Sequence, residues 1–310
     1  MTPVVFVFLD GVGLGPADES NPLWMAQMPA LRGLLGAPLA DGRTVERPGL
    51  LLKEVDACLG VEGLPQSATG QTALFTGVNA AAVVGMHISP WPTTELRDII
   101  ARCSLLKRAT EAGFRATLAN AYSERYWQLV EARKLRHSAS TLTNMAAGLP
   151  FRTLDDLRRG QALYWDITHL AAREYHSFDV PLVAAGEAGA RLARLSRAHD
   201  LVMYETFLPD LVGHRRMQLD PVVLLDEMID PFFAGLLKAI APGTTVVVSS
   251  DHGNLENCLS KAHTRNPVPL LVVGPGTAAF QSATAITDVA PGILDTLQRK
   301  QPHHCAAVRP

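Results

Sequence analysis

The sequence predicts an α/β fold built on a mostly parallel sheet flanked by helices, and three observations carry that prediction. Four β-rich apolar runs, at residues 4–9, 201–206, 245–250 and 269–274, are continuous rather than alternating, as strands buried on both faces are. A helical stripe of Val222, Leu225, Met228, Ile229, Phe232, Leu236 and Ile240 lies between the second and third runs, the order expected of a strand–helix–strand unit. Two of the runs end in residues that bind ligands, Asp10 and Asp251-His252. Open parallel sheets build their sites outside the carboxyl ends of their strands.

The first run, Val-Val-Phe-Val-Phe-Leu, stops at Asp10-Gly-Val-Gly-Leu-Gly15. Those glycines end the strand and let backbone approach a ligand closely. Pro242-Gly243 ends the 221–240 helix. Residues 81–197 have a different character, richer in arginine and in helical patterns. Leu96, Ile99, Ile100, Leu105 and Leu106 predict a helix over 95–112, ended by Gly113, with a second helix at 126–135 and a short strand at 114–118. This segment is expected to be a smaller inserted α+β cap domain. The core is then discontinuous, residues 1–80 and 198–300, and 301–310 is a C-terminal tail.

Composition narrows the function classes. The 310 residues are 47% hydrophobic and 19% charged with a net charge of -2, a globular balance without the basic surplus that nucleic acid or an anionic membrane would select. The four cysteines, Cys58, Cys103, Cys258 and Cys305, are scattered without a C-x-x-C pair, so reduced thiols are expected rather than a disulfide framework. The first apolar run follows Met1 almost directly and is too short for a signal h-region or a membrane span. A cytoplasmic protein acting on a small molecule, with no nucleic-acid or membrane partner, is the expectation.

The chemistry concentrates in metal-binding residue types. Asp210-Leu-Val-Gly-His214 puts a carboxylate and an imidazole on one face if it forms a helical turn. Asp251-His252 follows a buried run, and His263 precedes the stiff stretch Asn-Pro-Val-Pro. With Asp10 these are six groups, enough for two divalent ions. Mixed Asp/His ligation suits manganese or zinc, with magnesium as the alternative. Paired metals commonly serve phosphoryl-group chemistry. A Ser/Thr-rich turn, Ser67-Ala-Thr69-Gly-Gln71, enters an apolar helix. Ser67 there is either a helix N-cap, which the local sequence favours, or a nucleophile activated by a metal. The helix N-terminal amides are expected to favour an incoming phosphate.

The ordered set resembles the metalloenzyme branch of the alkaline phosphatase superfamily, and within it cofactor-independent phosphoglycerate mutase and phosphopentomutase. The resemblance rests on Leu9-Asp10-Gly-Val-Gly-Leu-Gly, Asn21, Met28-Pro-Ala-Leu, Gly63-Leu-Pro with Ser67-x-x-Gly70, Pro209-Asp210-Leu-Val-Gly-His214, Ser250-Asp251-His252-Gly-Asn-Leu-Glu256, Ala262-His263-Thr-Arg-Asn-Pro-Val-Pro269 and Asp288-Val-Ala-Pro-Gly-Ile-Leu. It covers about residues 1–80 and 198–298. It implies that Asp10, Ser67, Asp251 and His252 surround one metal while Asp210, His214 and His263 hold the other. Ser67 matches the family nucleophile, with Thr69 as the fallback because the turn is shortened here. Where the family carries a histidine after the glycine, this chain has Gln71.

The activity so implied is two-metal phosphoryl transfer through a phosphoserine on a small phosphorylated metabolite, phosphomutase-like. The alternatives are a phosphatase or phosphodiesterase on the same core and, third, a metal-binding protein without turnover. No C-x-P-x-R turn supports a sulfatase. Arg125, Arg136 and Arg152 are the cap candidates for clamping an anionic substrate.

Overall fold

The computed structural model describes residues 2–299. The four apolar runs are strands. They are β1 (Val4–Leu9), β7 (Leu201–Thr206), β8 (Thr245–Ser249) and β9 (Val268–Val273). They join β2 (Val45–Arg47), β3 (Leu50–Val55) and β4 (Ala116–Leu118) in one seven-stranded sheet of order β2-β3-β9-β8-β1-β7-β4. A separate pair, β5 (Ala121–Tyr122) and β6 (Arg152–Thr153), is parallel.

Strand periodicity divides the core between the two faces of the sheet. Val4, Phe6 and Phe8 point to one side with Leu201, Met203, Val247, Leu270 and Val272. Val5, Val7 and Leu9 point to the other with Val202, Tyr204, Val246 and Val248. The first face is covered by α1 (Ser67–Thr76), α2 (Thr94–Cys103), α3 (Leu105–Glu111) and α9 (Val289–Gln298). Helices α6 (Ala185–Leu195) and α8 (Asp230–Ala239) cover the second. Two further helices, α4 (Glu124–Glu131) and α5 (Ala139–Ala146), follow β5, and α7 (Leu208–Gly213) follows β7. Phe75 of α1 meets Phe6 and Phe8 edge-on, with centroids 6.3 and 5.2 Å away. Such pairs add about 0.5–1.5 kcal/mol beyond the area they bury. They hold α1 against the strand that ends at Asp10.

Several expectations change in the structure. The sheet is mixed: β4, β7, β1 and β8 are mutually parallel, whereas β9 runs antiparallel to β8, and β3 to β9. The helix expected over 95–112 breaks at Ser104, whose backbone is extended. At 3.6 residues per turn, Leu105 in an unbroken helix would face away from Leu96, Ile99 and Ile100. The break returns Leu105 to the core, where it and Leu106 are both fully buried. The 221–240 helix contains a π turn at Leu225–Ile229, where the Asp230 N–H reaches back to the Leu225 carbonyl. Pro231, with no N–H, follows at once, and the wider turn relieves its clash with the preceding carbonyls.

The segment expected to form the cap is shorter than 81–197. Its helices α2 and α3 pack in the main core, β4 pairs with β7, and α6 packs against the second face. The part with its own small core lies between them. Ala121, Leu157, Ala162, Tyr164, Ala172 and Val180 form that cluster. The 301–310 tail and Cys305 lie outside the described residues. Cys58, Cys103 and Cys258 are free thiols. No helix among the described residues is long and apolar enough to cross a membrane.

Candidate metal centre

The parallel register brings the site together. Leu9 of β1 lies level with Thr206 of β7, and Phe8 with Ser249 of β8. Asp10, the α7 turn and Asp251-His252 therefore emerge side by side at one sheet edge. Gly11 has φ +73°, and a Cβ there would sit 2.8 Å from the Asp210 Cβ, so only glycine lets β1 approach α7 this closely. Gly70 plays the same part in α1, where a Cβ would lie 2.7 Å from the Asp251 carbonyl oxygen.

Buried polar groups tie the loops to one another. The Glu256 carboxylate accepts from the Gly13 N–H (2.9 Å), the Asn254 N–H (2.8 Å), the Asn266 amide (3.0 Å) and the Thr264 hydroxyl. The Ser250 hydroxyl accepts from the Val12 N–H at 2.9 Å and donates to the His252 carbonyl at 3.0 Å. The Thr264 N–H bonds the Gly253 carbonyl at 2.9 Å, setting His263 beside His252.

The predicted ligands form two trios, Asp10–Asp251–His252 and Asp210–His214–His263, with the ligand atoms of each trio within 4.8 Å of one another. His252 Nε2 lies 3.4 Å from Asp10 Oδ1 and 3.5 Å from Asp251 Oδ2. His214 Nε2 and His263 Nε2 lie 3.3 and 3.6 Å from Asp210 Oδ1. The outer nitrogens are committed elsewhere. His214 Nδ1 donates to the Lys261 carbonyl at 2.7 Å, and His263 Nδ1 donates to the Pro65 carbonyl at 2.8 Å. A carbonyl only accepts, so both Nε2 atoms present lone pairs, yet they stand 3.1 Å apart. Asp10 Oδ1, Asp210 Oδ1 and Asp251 Oδ2 are buried without a donor. Acceptors converging without a donor are the environment a cation satisfies, and backbone-anchored histidines are typical of metal ligands. The donor set fits two divalent metal ions.

Burial sets the electrostatics. Asp10 is held well above the usual carboxylate range by burial and then by the charges of Asp251, Asp210 and Glu205. Burial pushes Asp251 up to about 6 and His252 down to about 4. His263 is also pushed down to about 4, by burial and by His252. These shifts measure the cost of collecting ionisable groups away from water, a cost that bound cations offset.

Ser67 is the first residue of α1, and Gln66, not Ser67, occupies the cap position. The N-cap reading is therefore corrected. The Ser67 hydroxyl lies 3.1 Å from His252 Nε2. Thr69 is engaged with backbone: its hydroxyl donates to the Gln66 carbonyl and accepts from the Ile88 N–H, both at 3.2 Å. The Ala68 and Thr69 amides, expected to welcome a phosphate, both donate to the Ile88 carbonyl, at 3.0 and 3.3 Å. Gln71 donates to Asp10 Oδ2 at 3.1 Å, orienting that carboxylate.

A cavity of about 620 Å³ opens onto Asp10, Ser67, Asp210, His214 and His263. Arg125 and Arg136 line it, but Arg152 does not. The Arg152 guanidinium instead bonds the Gln161 carbonyl (2.5 Å) and the Thr117 hydroxyl (3.1 Å), tying β6 to β4. Sequence reasoning missed Arg216 and Glu205, which also line the cavity. A carboxylate inside the buried strand Leu201–Thr206 was the available signal for Glu205. Its Oε1 accepts from Ser140 at 2.6 Å, its Oε2 has no donor, and burial pushes its pKa up to about 7.

Residues 181–301 match the family model of the Metalloenzyme superfamily. The 2,3-bisphosphoglycerate-independent phosphoglycerate mutase of Trichormus variabilis is 36% identical over 120 residues, covering 34% of this chain and 22% of that protein. The match thus spans about a fifth of that relative's length. In fold the chain is similar to Leishmania mexicana phosphoglycerate mutase, with a TM-score of 0.59 at 11% identity, covering 98% of this chain and 96% of the other. It is also similar to the alkaline phosphatase of the Antarctic bacterium TAB5, with a TM-score of 0.55 at 15% identity, covering 97% of this chain and 100% of the other. The matched segment contains Asp210, His214, Asp251, His252 and His263 and is similar to the Metalloenzyme superfamily, while the chain as a whole shares the fold of alkaline phosphatase and phosphoglycerate mutase.

Proposed function

We propose that the chain catalyses divalent-metal-dependent phosphoryl transfer with Ser67 as nucleophile, phosphomutase-like, on a small phosphorylated metabolite of the cytoplasm. The observation that carries this reading is the Ser67 hydroxyl, free of any capping role and 3.1 Å from His252 Nε2 beside both ligand trios. Manganese or zinc suits the mixed Asp/His donors best, magnesium less so. The metals would be held by Asp10, Asp251 and His252, with Ser67 beside them, and by Asp210, His214 and His263. Bound there, they would neutralise charge on the phosphoryl oxygens and favour ionised serine. Ser67 Oγ forms the new bond to phosphorus, and the ester oxygen leaves with its electron pair, giving phosphoserine. Gln71 keeps Asp10 oriented. Arg125 and Arg136 hold the anionic substrate from the cavity wall.

The acceptor for the second transfer separates two readings. A returning substrate hydroxyl makes the enzyme a mutase, which the similarity to the mutases over the matched segment supports. Water makes it a phosphatase, and the wide cavity with exposed Arg125, Arg136 and Arg216 on its wall supports that second reading.

The test is a phosphometabolite screen with manganese- or zinc-loaded protein, scored for isomerised product and for free phosphate, with acid-quenched protein analysed for phosphoserine. Phosphate on Ser67 with either product is the expected result. Turnover without phosphoserine, or no turnover with any metal, overturns the proposal.

A further inference from the structure

The cavity that opens onto the ligand trios is also lined by aromatic rings. Trp91, Tyr122, Tyr126, Trp165, Phe178 and Phe207 all line it. Tyr122 and Tyr126 stand edge-to-face at 5.0 Å, and Tyr126 is pinned by a 2.9 Å bond between its hydroxyl and His137 Nδ1. Trp91 is half-buried and packs against no other ring among the described residues. Arg125, Arg136 and Arg216 also line the cavity, and none forms an ion pair among the described residues.

The cavity's size and lining bear on the substrate. Pockets of about 300–1,000 Å³ enclose ligands of drug size, and 620 Å³ is far more than a three-carbon phosphate fills. Hydrophilic sugars and short acids ask for a wall dense in hydrogen-bonding groups. Here several of the available hydroxyls are already spent on one another: Tyr122 and Ser138 both bond Thr141 at 2.9 Å, and Ser138 also bonds Ser140 at 2.8 Å. Flat rings that border a cavity instead stack heterocycles, whatever the identity of the base.

We infer that the substrate is a nucleotide-like phosphate ester, its phosphoryl group at Ser67 and its flat ring stacked on the aromatic wall that includes Trp91 and Tyr126. This rests on the phosphoryl-transfer reading and adds the class of its organic part. Guanidinium groups that no carboxylate engages favour an occupant that is anionic or rich in ring acceptors.

The experiment compares adenosine 5′-monophosphate with ribose 5-phosphate on metal-loaded protein. Both esters have a primary C5′ oxygen as leaving group, so a difference in kcat/KM reports the ring. p-Nitrophenyl phosphate, with Ser67→Ala as the blank, checks phosphoryl transfer itself. We expect at least a tenfold preference for the nucleotide, and expect Trp91→Ala and Tyr126→Ala each to cut that preference about fivefold or more by acting on the nucleotide alone. Tyr126→Ala removes a hydrogen-bonded ring, so a melting curve accompanies it. Trp91→Ala, at a ring without aromatic neighbours, is the independent variant. Equal or better use of ribose 5-phosphate, or a nucleotide preference that survives both variants, overturns the inference while leaving phosphoryl transfer standing. If p-nitrophenyl phosphate neither turns over nor leaves phosphate on Ser67, and neither ester does so, both readings fall together.

Discussion

His252 and His263 stack face to face, with ring centroids 3.7 Å apart and planes 16° from parallel. The two rings belong to different ligand trios. The stack is thus the mechanical link between the halves of the metal centre, and each ring limits where the other can go. His263→Ala should lose the Asp210–His214 metal outright, exceeding the about 10–100-fold loss of affinity that outer-shell changes cause. It should also weaken the Asp10–Asp251–His252 site about tenfold by freeing the His252 ring. Calorimetric titration with manganese or zinc, giving stoichiometry and both dissociation constants, checks this. An unchanged second site would mean that the stack transmits nothing.

Ser67→Ala should reduce phosphoryl transfer by about a thousandfold or more, since removing a nucleophile leaves only the surrounding electrostatic contribution. Its melting temperature should stay close to that of the parent, because the Ser67 hydroxyl caps no helix. Thr69→Val should do the reverse. It deletes the bonds to Gln66 and Ile88, costing about 1–3 kcal/mol for the groups left unsatisfied, while activity measured below the melting transition falls only modestly. A large activity loss in Thr69→Val with normal stability would move the nucleophile to Thr69.

Metal affinity should rise as the pH climbs from 5 through 6. Burial pushes Asp251 up to about 6 and holds Asp10 well above the usual carboxylate range, so protons compete with the metal for both carboxylates at the acid end of that pH range. His252 and His263, pushed down to about 4, remain neutral throughout it and add no competition. Dissociation constants from an indicator-dye competition at pH 5, 6, 7 and 8 test the sign. An affinity that peaks at pH 5 contradicts it.

Glu205→Gln should stabilise the metal-free protein at pH 8 and leave it little changed at pH 5. Burial raises Glu205 from its ordinary 4.5 to about 7. A carboxyl raised on folding contributes its stability fully below pH 4.5 and loses it as the pH climbs through 7. Glutamine mimics the protonated form at every pH. The gain at pH 8 is on the order of 3 kcal/mol at about 1.36 kcal/mol per unit. Paired urea titrations of the two proteins at pH 5 and pH 8 measure it, and equal differences at both values would exclude a buried, raised Glu205.

The parts of the fold readable from the sequence are those where local pattern and burial coincide. Strands β1, β7 and β8 are enclosed on both faces, so their composition alone marks them. Strand direction leaves no such trace, which is why antiparallel β9 reads like its parallel neighbours. The break at Ser104 and the π turn before Asp230 answer to tertiary packing and to one proline, and a hydrophobic stripe passes over both. In the site, Asp10, Asp210, His214, Asp251, His252 and His263 were legible through their order and their places after apolar runs. The commitment of the helix amides to Ile88, the anchoring role of Arg152 and the cavity place of Arg216 depend on contacts between distant segments.

The central strand has a cost in time. β1 lies between β7 and β8, with Val4 level with both Leu201 and Thr245. A ribosome adds about 5–20 residues per second, so β1 waits roughly ten seconds or more before either neighbour exists. Throughout that interval the run Val-Val-Phe-Val-Phe-Leu is an unpaired apolar segment of the kind that aggregates or recruits chaperones. Yield in the cell should therefore respond to translation speed and chaperone supply more than the stability of the finished protein would suggest.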